Sequence, residues 1–123
     1  MIYTSYFAKI NKIPKDAVIL SISRFPPKWL PQIKLFLELA PSVSLLSAYK
    51  AGEVNEDQYR KVFNEYLSQI DPEFIHELLD FEACGRDIYL LCFEAPDKFC
   101  HRHLVRDWLN TNGIKCEEAK YDS

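Results

Sequence analysis

No apolar run in the 123-residue chain approaches the roughly 20 residues needed to cross a bilayer. The opening Met1–Phe7 is too short and too interrupted by polar groups to be a signal peptide's apolar segment. A cytoplasmic protein with no membrane partner is expected. There is no surplus of basic charge either: 15 Lys and Arg stand against 18 Asp and Glu, a net of −3. That argues against a dedicated duplex-DNA binder, which neutralises phosphates with Lys and Arg. Internal repeats and low-complexity tracts are lacking. Cysteine is limited to Cys84, Cys92, Cys100 and Cys116. A chain so rich in core-forming residues does not need disulfides, so these read as reduced thiols.

What is present is a composition that folds. Hydrophobic residues make up 48% and aromatics 14% of the chain, enough for one domain over residues 1–123 to close a core without staples. The charge is unevenly spread. Residues 1–50 carry seven bases and two acids, net +5, and the remainder eight bases and sixteen acids, net −8. Nine of those acids fall within residues 53–82. The negative balance therefore describes mainly one solvated stretch, and an anion-binding face remains available in the first half.

Met1–Phe7 reads as a first strand, and Ala17–Ser23 (AVILSIS) as a strand covered on both faces that stops at Pro26-Pro27. Apolar residues at Ile33, Phe36, Leu37 and Ala40 suggest a helix over Trp29–Leu39, with Pro31 in its first turn and Pro41 closing it. Val43–Ala48 is open between a short third strand and a path into the loop Tyr49-Lys50-Ala51-Gly52. Tyr59, Val62, Phe63, Tyr66, Leu67 and Ile70 step by three and four, predicting an amphipathic helix from near Asn55. Asp71-Pro72 then supplies a cap and a first-turn proline for another helix ending before Gly85. Asp87–Phe93 (DIYLLCF) is a second buried strand. Asp97 is the expected cap of a helix whose stripe is His101, Leu104, Val105, Trp108 and Leu109, with Asn112-Gly113 as its stop; Ile114–Tyr121 reads as a final edge strand. Strands alternating with helices predict a small three-layer α/β domain with a mostly parallel sheet of about four to five strands flanked by helices.

In such sheets ligands sit beyond the carboxyl ends of the strands. That rule selects Ser21–Pro26 and the segment from Cys92 to His103. The second segment gathers two thiols, two imidazoles, a carboxylate and a guanidinium at a helix N-terminus, which attracts anions and lowers a thiol's pKa. Cys100 is the candidate nucleophile, with His101 or His103 as base, Glu94 as acid or orienting group and Cys92 alongside. The bland reading is packing, since free cysteine is among the most buried residues; Cys84 and Cys116 read that way. Cys92, Cys100, His101 and His103 are also of zinc-ligand type. Their spacing matches no compact zinc module, and adjacent side chains on a helix diverge, so no metal ligand is assigned and the cofactor is left open. Cys100 and Arg106 stand in a C-x5-R relation, but without a glycine between them a phosphate cradle is not expected. Arg24 and Arg102 are the anion-binding candidates because the guanidinium fork suits phosphate. Tyr49, like Trp29 and Tyr59, is of a type that stacks on a ring or simply forms a wall.

At Leu90-Leu91-Cys92-Phe93-Glu94 followed by Cys100-His101-Arg102, the sequence resembles the bacterial and phage proteins grouped as domain-of-unknown-function family 488, whose signature is a strand ending in L-C-x-E, a spacer, then C-H-R and a helix. Ile2-Tyr3-Thr4, Arg24-Phe25-Pro26 and Trp108-Leu109 before Gly113 follow the same order. The resemblance implies a compact α/β domain and marks Cys92, Glu94, Cys100, His101 and Arg102 as signature positions. Many relatives have acid-x-arginine after the second strand, where this chain has Ser21-Ile22-Ser23-Arg24. No activity comes with the resemblance. The leading expectation is a protein that binds a phosphate-bearing small molecule, a nucleotide or a nucleic-acid end, with Cys100, His101 and Glu94 beside the anion and turnover of the ligand left open. The alternatives are a non-enzymatic adaptor with a structural Cys-His-Arg cluster and a structural zinc domain.

Overall fold

Two runs of β-branched and aliphatic residues, each too short for a helix, form the middle of the sheet. In the computed structural model, which describes residues 1–121, β1 (Ile2–Tyr6), β2 (Val18–Ser21), β3 (Lys34–Leu35), β4 (Ile88–Cys92) and β5 (Cys116–Glu118) form a five-stranded sheet in the order β3-β2-β4-β1-β5. Every pairing is parallel. The expected α/β architecture is therefore present. Among the described residues no helix is long and apolar enough to cross a membrane.

The period-two alternation of a strand divides its residues between two faces. Ile88 and Leu90 of β4, with Leu20 of β2 and Ile22 just beyond its end, enter one core cluster; Tyr89 and Leu91 enter another on the opposite face. The first cluster is closed by α1 (Val43–Lys50), α2 (Glu56–Ser68), α3 (Pro72–Ala83) and α4 (His101–Thr111), through Leu45, Phe63, Leu67, Ile75, Leu79, Val105 and Leu109. Burying each of these aliphatic side chains contributes about 1.5–3 kcal/mol. The second face is covered by the 3-10 segment Phe7–Lys12 and by Leu30 and Ile33 from the proline-rich connection after β2. The third layer is thus irregular, because Pro14, Pro26, Pro27 and Pro31 deny that stretch a continuous helix.

Several expectations need correction. Trp29–Leu39 is not a helix: it holds the two-residue β3 and a 3-10 turn at Leu37–Leu39, and Trp29 is 61% exposed. Ile33 packs into the cluster on one face and Phe36 into the cluster on the other, so this chain crosses the sheet edge, with Phe36 N–H bonded to the Ser21 carbonyl at 2.8 Å. Val43–Ala48, read as strand or loop, is helical and continues through Tyr49. Ser42 is its cap, its Oγ accepting from Leu45 N–H at 3.1 Å. The cap of α4 is Cys100 rather than Asp97, and β5 spans only Cys116–Glu118, at the expected edge.

The caps of the other helices follow the sequence. Asn55 and Gln58 form a reciprocal capping box on α2, and Asp71 with Pro72 starts α3. At the end of α3, Cys84 takes the left-handed conformation, φ 48°. It is exposed, against the expectation that it packs.

Candidate functional site

The strand order locates the site. The chain leaving β2 runs outward to β3, whereas the chain leaving β4 runs the other way, through α4, to β5. Neighbouring strands whose connections diverge leave a crevice beyond their carboxyl ends, the switch point at which open α/β sheets bind ligands. A cleft of about 550 Å³ occupies that position. Its lining includes Ser23, Arg24, Tyr49, Lys50, Tyr59, Cys92, Glu94, Phe99, Cys100 and His101. Six of the eight residues selected from sequence are therefore in one space: Cys92, Glu94, Cys100, His101, Arg24 and Tyr49.

The floor is built by backbone geometry. Cys92 continues the Ile88, Leu90 alternation onto the helical face, and the next turn of chain brings Cys100 and His101 to the start of α4 beside it. All three are buried, and their ligating atoms lie within 4.8 Å of one another. The ring of His101 is pinned: Nε2 donates to the Ile22 carbonyl at 2.7 Å, which requires the proton on Nε2. Nδ1 then faces Cys92 Sγ at 3.5 Å. Phe63 meets the imidazole edge-on at 5.4 Å.

Cys100 is pushed down from the ordinary thiol range, first by the hydrogen bond from Cys92, against burial, and further by His101 and the backbone of Arg102. Cys92 is pushed up, first by its bond to Cys100 and then by burial and the neighbouring negative charge. Within this pair Cys100 is the sulfur favoured to ionise and Cys92 the one held as the thiol. Cys116 lies elsewhere, and burial lifts its thiol to about 12.

Walls and rim follow. Tyr49, Tyr59 and Phe99 pack edge-on against one another, with centroids 5.1–6.0 Å apart. Arg24 is held by its Nε, which donates to the Pro41 carbonyl at 2.9 Å; its two terminal nitrogens make no hydrogen bond or ion pair among the described residues. The loop bearing it is shaped by Ser21, whose Oγ donates to the Ser23 carbonyl at 2.9 Å and accepts from Ser23 N–H at 3.2 Å. Lys50 and Glu94 are exposed at the cleft.

Two selected residues are elsewhere. Arg102 is completely buried: Nε and Nη2 donate to the Glu118 carboxylate, each at 3.0 Å, and Nη1 donates to the Glu94 carbonyl. Thr4 Oγ1 also donates to Glu118, at 2.6 Å, and the Arg102 guanidinium lies over the Tyr6 ring at 5.4 Å. Its donors are committed to protein acceptors, so the anion-binding role expected of it does not fit this arrangement. His103 opens instead on a neighbouring depression with Glu56, Arg60 and Asp107. Both its ring nitrogens are buried without a partner among the described residues, and burial lowers its pKa.

Lys50, Phe99 and the Ile22 carbonyl belong to the site and were not selected from sequence. A backbone carbonyl has no residue signature, and Phe99 was hidden in a spacer between two cysteines. Comparison with curated proteins and with solved structures returned no match. A family model described as the active DUF488-N3 subclade matches residues 3–113. That match runs from the first strand to the turn after α4, and the chain belongs to the DUF488 family, in its DUF488-N3a subclade.

Proposed function

We propose that the chain is an enzyme that takes a small phosphate-bearing molecule of nucleotide type into the cleft between β2 and β4 and acts on it from the floor formed by Cys92, Cys100 and His101. The observation that carries this reading is convergence at the switch point, where a cationic rim, an aromatic wall and a buried cluster of two sulfurs and an imidazole share one cleft. The volume lies within the roughly 300–1,000 Å³ of small-molecule sites. Arg24 offers its two terminal nitrogens to a phosphate, with Lys50 as a second cation. Tyr49, Tyr59 and Phe99 give a ring an apolar surface. The exposed carboxylate of Glu94 is placed to move a proton at the mouth. The description of the subclade as active supports turnover over binding alone.

A thermal-shift panel of nucleoside phosphates, free nucleosides, inorganic phosphate and short oligonucleotides tests the reading. A nucleotide at a hundredfold its Kd should add about 2.7 kcal/mol of stability. Arg24→Ala should weaken that binding about tenfold or more, the loss of one charge-assisted contact of about 1.4 kcal/mol. Failure of every phosphate-bearing compound to stabilise the chain, or undiminished binding by Arg24→Ala, removes the proposal. Product analysis with the best binder then separates an enzyme from an adaptor.

A further inference from the structure

The three floor residues have a geometry that packing alone does not ask for. Adjacent residues on a helix point about 100° apart, which would separate Cys100 from His101. Cys100, however, is the cap residue, with extended backbone at φ −150° and ψ 141°. It escapes the helical rotation, and its sulfur reaches the same side as the imidazole. Cys92 arrives from the end of a strand. Three different backbone settings thus deliver two sulfurs and one ring nitrogen to a common point.

The imidazole is oriented as a metal-binding imidazole is. One nitrogen donates to a backbone carbonyl, Ile22 at 2.7 Å, and the other turns its lone pair towards the sulfurs. Zinc–sulfur bonds of about 2.3 Å and zinc–nitrogen bonds of about 2.0 Å put two tetrahedral ligands about 3.5–3.8 Å apart. Cys92 Sγ and His101 Nδ1 already stand at 3.5 Å. A disulfide between Cys92 and Cys100 would employ the sulfurs but leave Nδ1 buried without a partner.

We propose that Cys92, Cys100 and His101 form a three-ligand site for a divalent cation of borderline softness, zinc by its donor set, whose fourth position opens to the cleft. Two thiolates and an imidazole suit zinc over the harder cations, and three protein ligands with one open position is the arrangement of catalytic rather than structural zinc. The open position takes water or an oxygen of the bound ligand. His103 has no part in it, since it lines the neighbouring depression. The inference rests on the reading of this cleft as the reactive centre and deepens it: Cys100 becomes a ligand, and the cation supplies the electrophile.

Metal analysis of the purified, untagged, reduced chain from zinc-supplemented culture should give one equivalent of zinc. Titration with Co²⁺ should produce sulfur-to-metal charge-transfer absorption and the intense visible bands of a four-coordinate site. Cys92→Ser, Cys100→Ser and His101→Gln should each weaken Zn²⁺ binding at least a hundredfold, whereas Cys84→Ser and Cys116→Ser retain it. Because a floor variant can fail to fold, the wild-type cobalt spectrum serves as the readout that needs no substitution. Zinc well below one equivalent, cobalt bound without charge transfer, or full affinity in a folded Cys100→Ser overturns the site. Failure of these metal tests with the nucleotide-induced thermal shift intact would remove the cation and leave the cleft reading standing.

Discussion

Replacing Arg102 with methionine distinguishes a buried strut from an anion-binding group. The substitution keeps an unbranched apolar stem but removes three charge-assisted donors, two to Glu118 and one to the Glu94 carbonyl. Among the described residues Glu118 then retains only the hydrogen bond from the Thr4 hydroxyl. Removing one partner of a fully buried pair costs about 3–5 kcal/mol. Glu118 is 16% exposed and regains some water, so about 3 kcal/mol is expected, near the lower end of that range. For a domain of this size that is a fall in Tm of about 10 °C. Glu118→Gln alone should also destabilise, by stranding the guanidinium. The double variant should be more stable than the sum of the two losses by about 1–3 kcal/mol, the coupling of residues in one network. Urea denaturation of the four proteins measures all these terms. A loss below about 1 kcal/mol for Arg102→Met, or strict additivity in the double variant, would refute the reasoning. Native stability combined with lost nucleotide binding would return Arg102 to the ligand.

Two further outcomes follow from local geometry. Burial lowers the His103 pKa in the folded chain, with Arg102 and Arg106 acting in the same direction and Glu118 and Cys100 opposing. The unfolded chain therefore takes up this proton at higher pH, so stability should fall as pH drops through about 6.5. His103→Phe should show a smaller decline between about pH 8 and pH 5.5 in urea midpoints, and an unchanged decline would mean other groups carry it. At the end of α3, Cys84 holds φ 48°, which costs an L-residue about 1–2 kcal/mol. Cys84→Gly removes that strain but loses part of the gain to unfolded-chain entropy, for a net stabilisation of about 0.5–1 kcal/mol. Calorimetry showing no rise in Tm would contradict it.

The elements that rest on strict periodicity were legible in the sequence. β2 and β4 announce themselves as apolar runs, α2 and α3 as stripes with caps, and their alternation led to the parallel sheet. Trp29–Leu39 was misread because Ile33 and Phe36 have helical spacing but serve opposite faces of the sheet. No one-dimensional pattern distinguishes a helix stripe from a chain that crosses an edge. α1 was missed since its eight residues span barely two turns, too short to show a helical period, and its cap, Ser42, follows a proline that looked like an end. In the cleft, ligand-type residues and the strand-end rule found Cys92, Glu94, Cys100, His101, Arg24 and Tyr49. The partner of Arg102 was invisible because Glu118 lies in a short charged strand at the edge, sixteen residues away. The objection to a Cys100–His101 pair came from assuming helical backbone at a residue whose conformation is extended.

The position of β1 bears on how the chain reaches this structure during synthesis. Residues 2–6 lie between residues 88–92 and 116–118, so β1 has no partner until more than two-thirds of these residues have been made. Nearly all its hydrogen bonds close loops of more than eighty residues, which places the fold among slow, high-contact-order topologies. Until then β1 waits on the ribosome as an unpaired, aggregation-prone strand. Completion of the sheet and assembly of the cleft floor are then one event. The ring of His101 is fixed by a carbonyl 79 residues earlier, so chains truncated before α4 lack both the edge strand β5 and the imidazole of the floor.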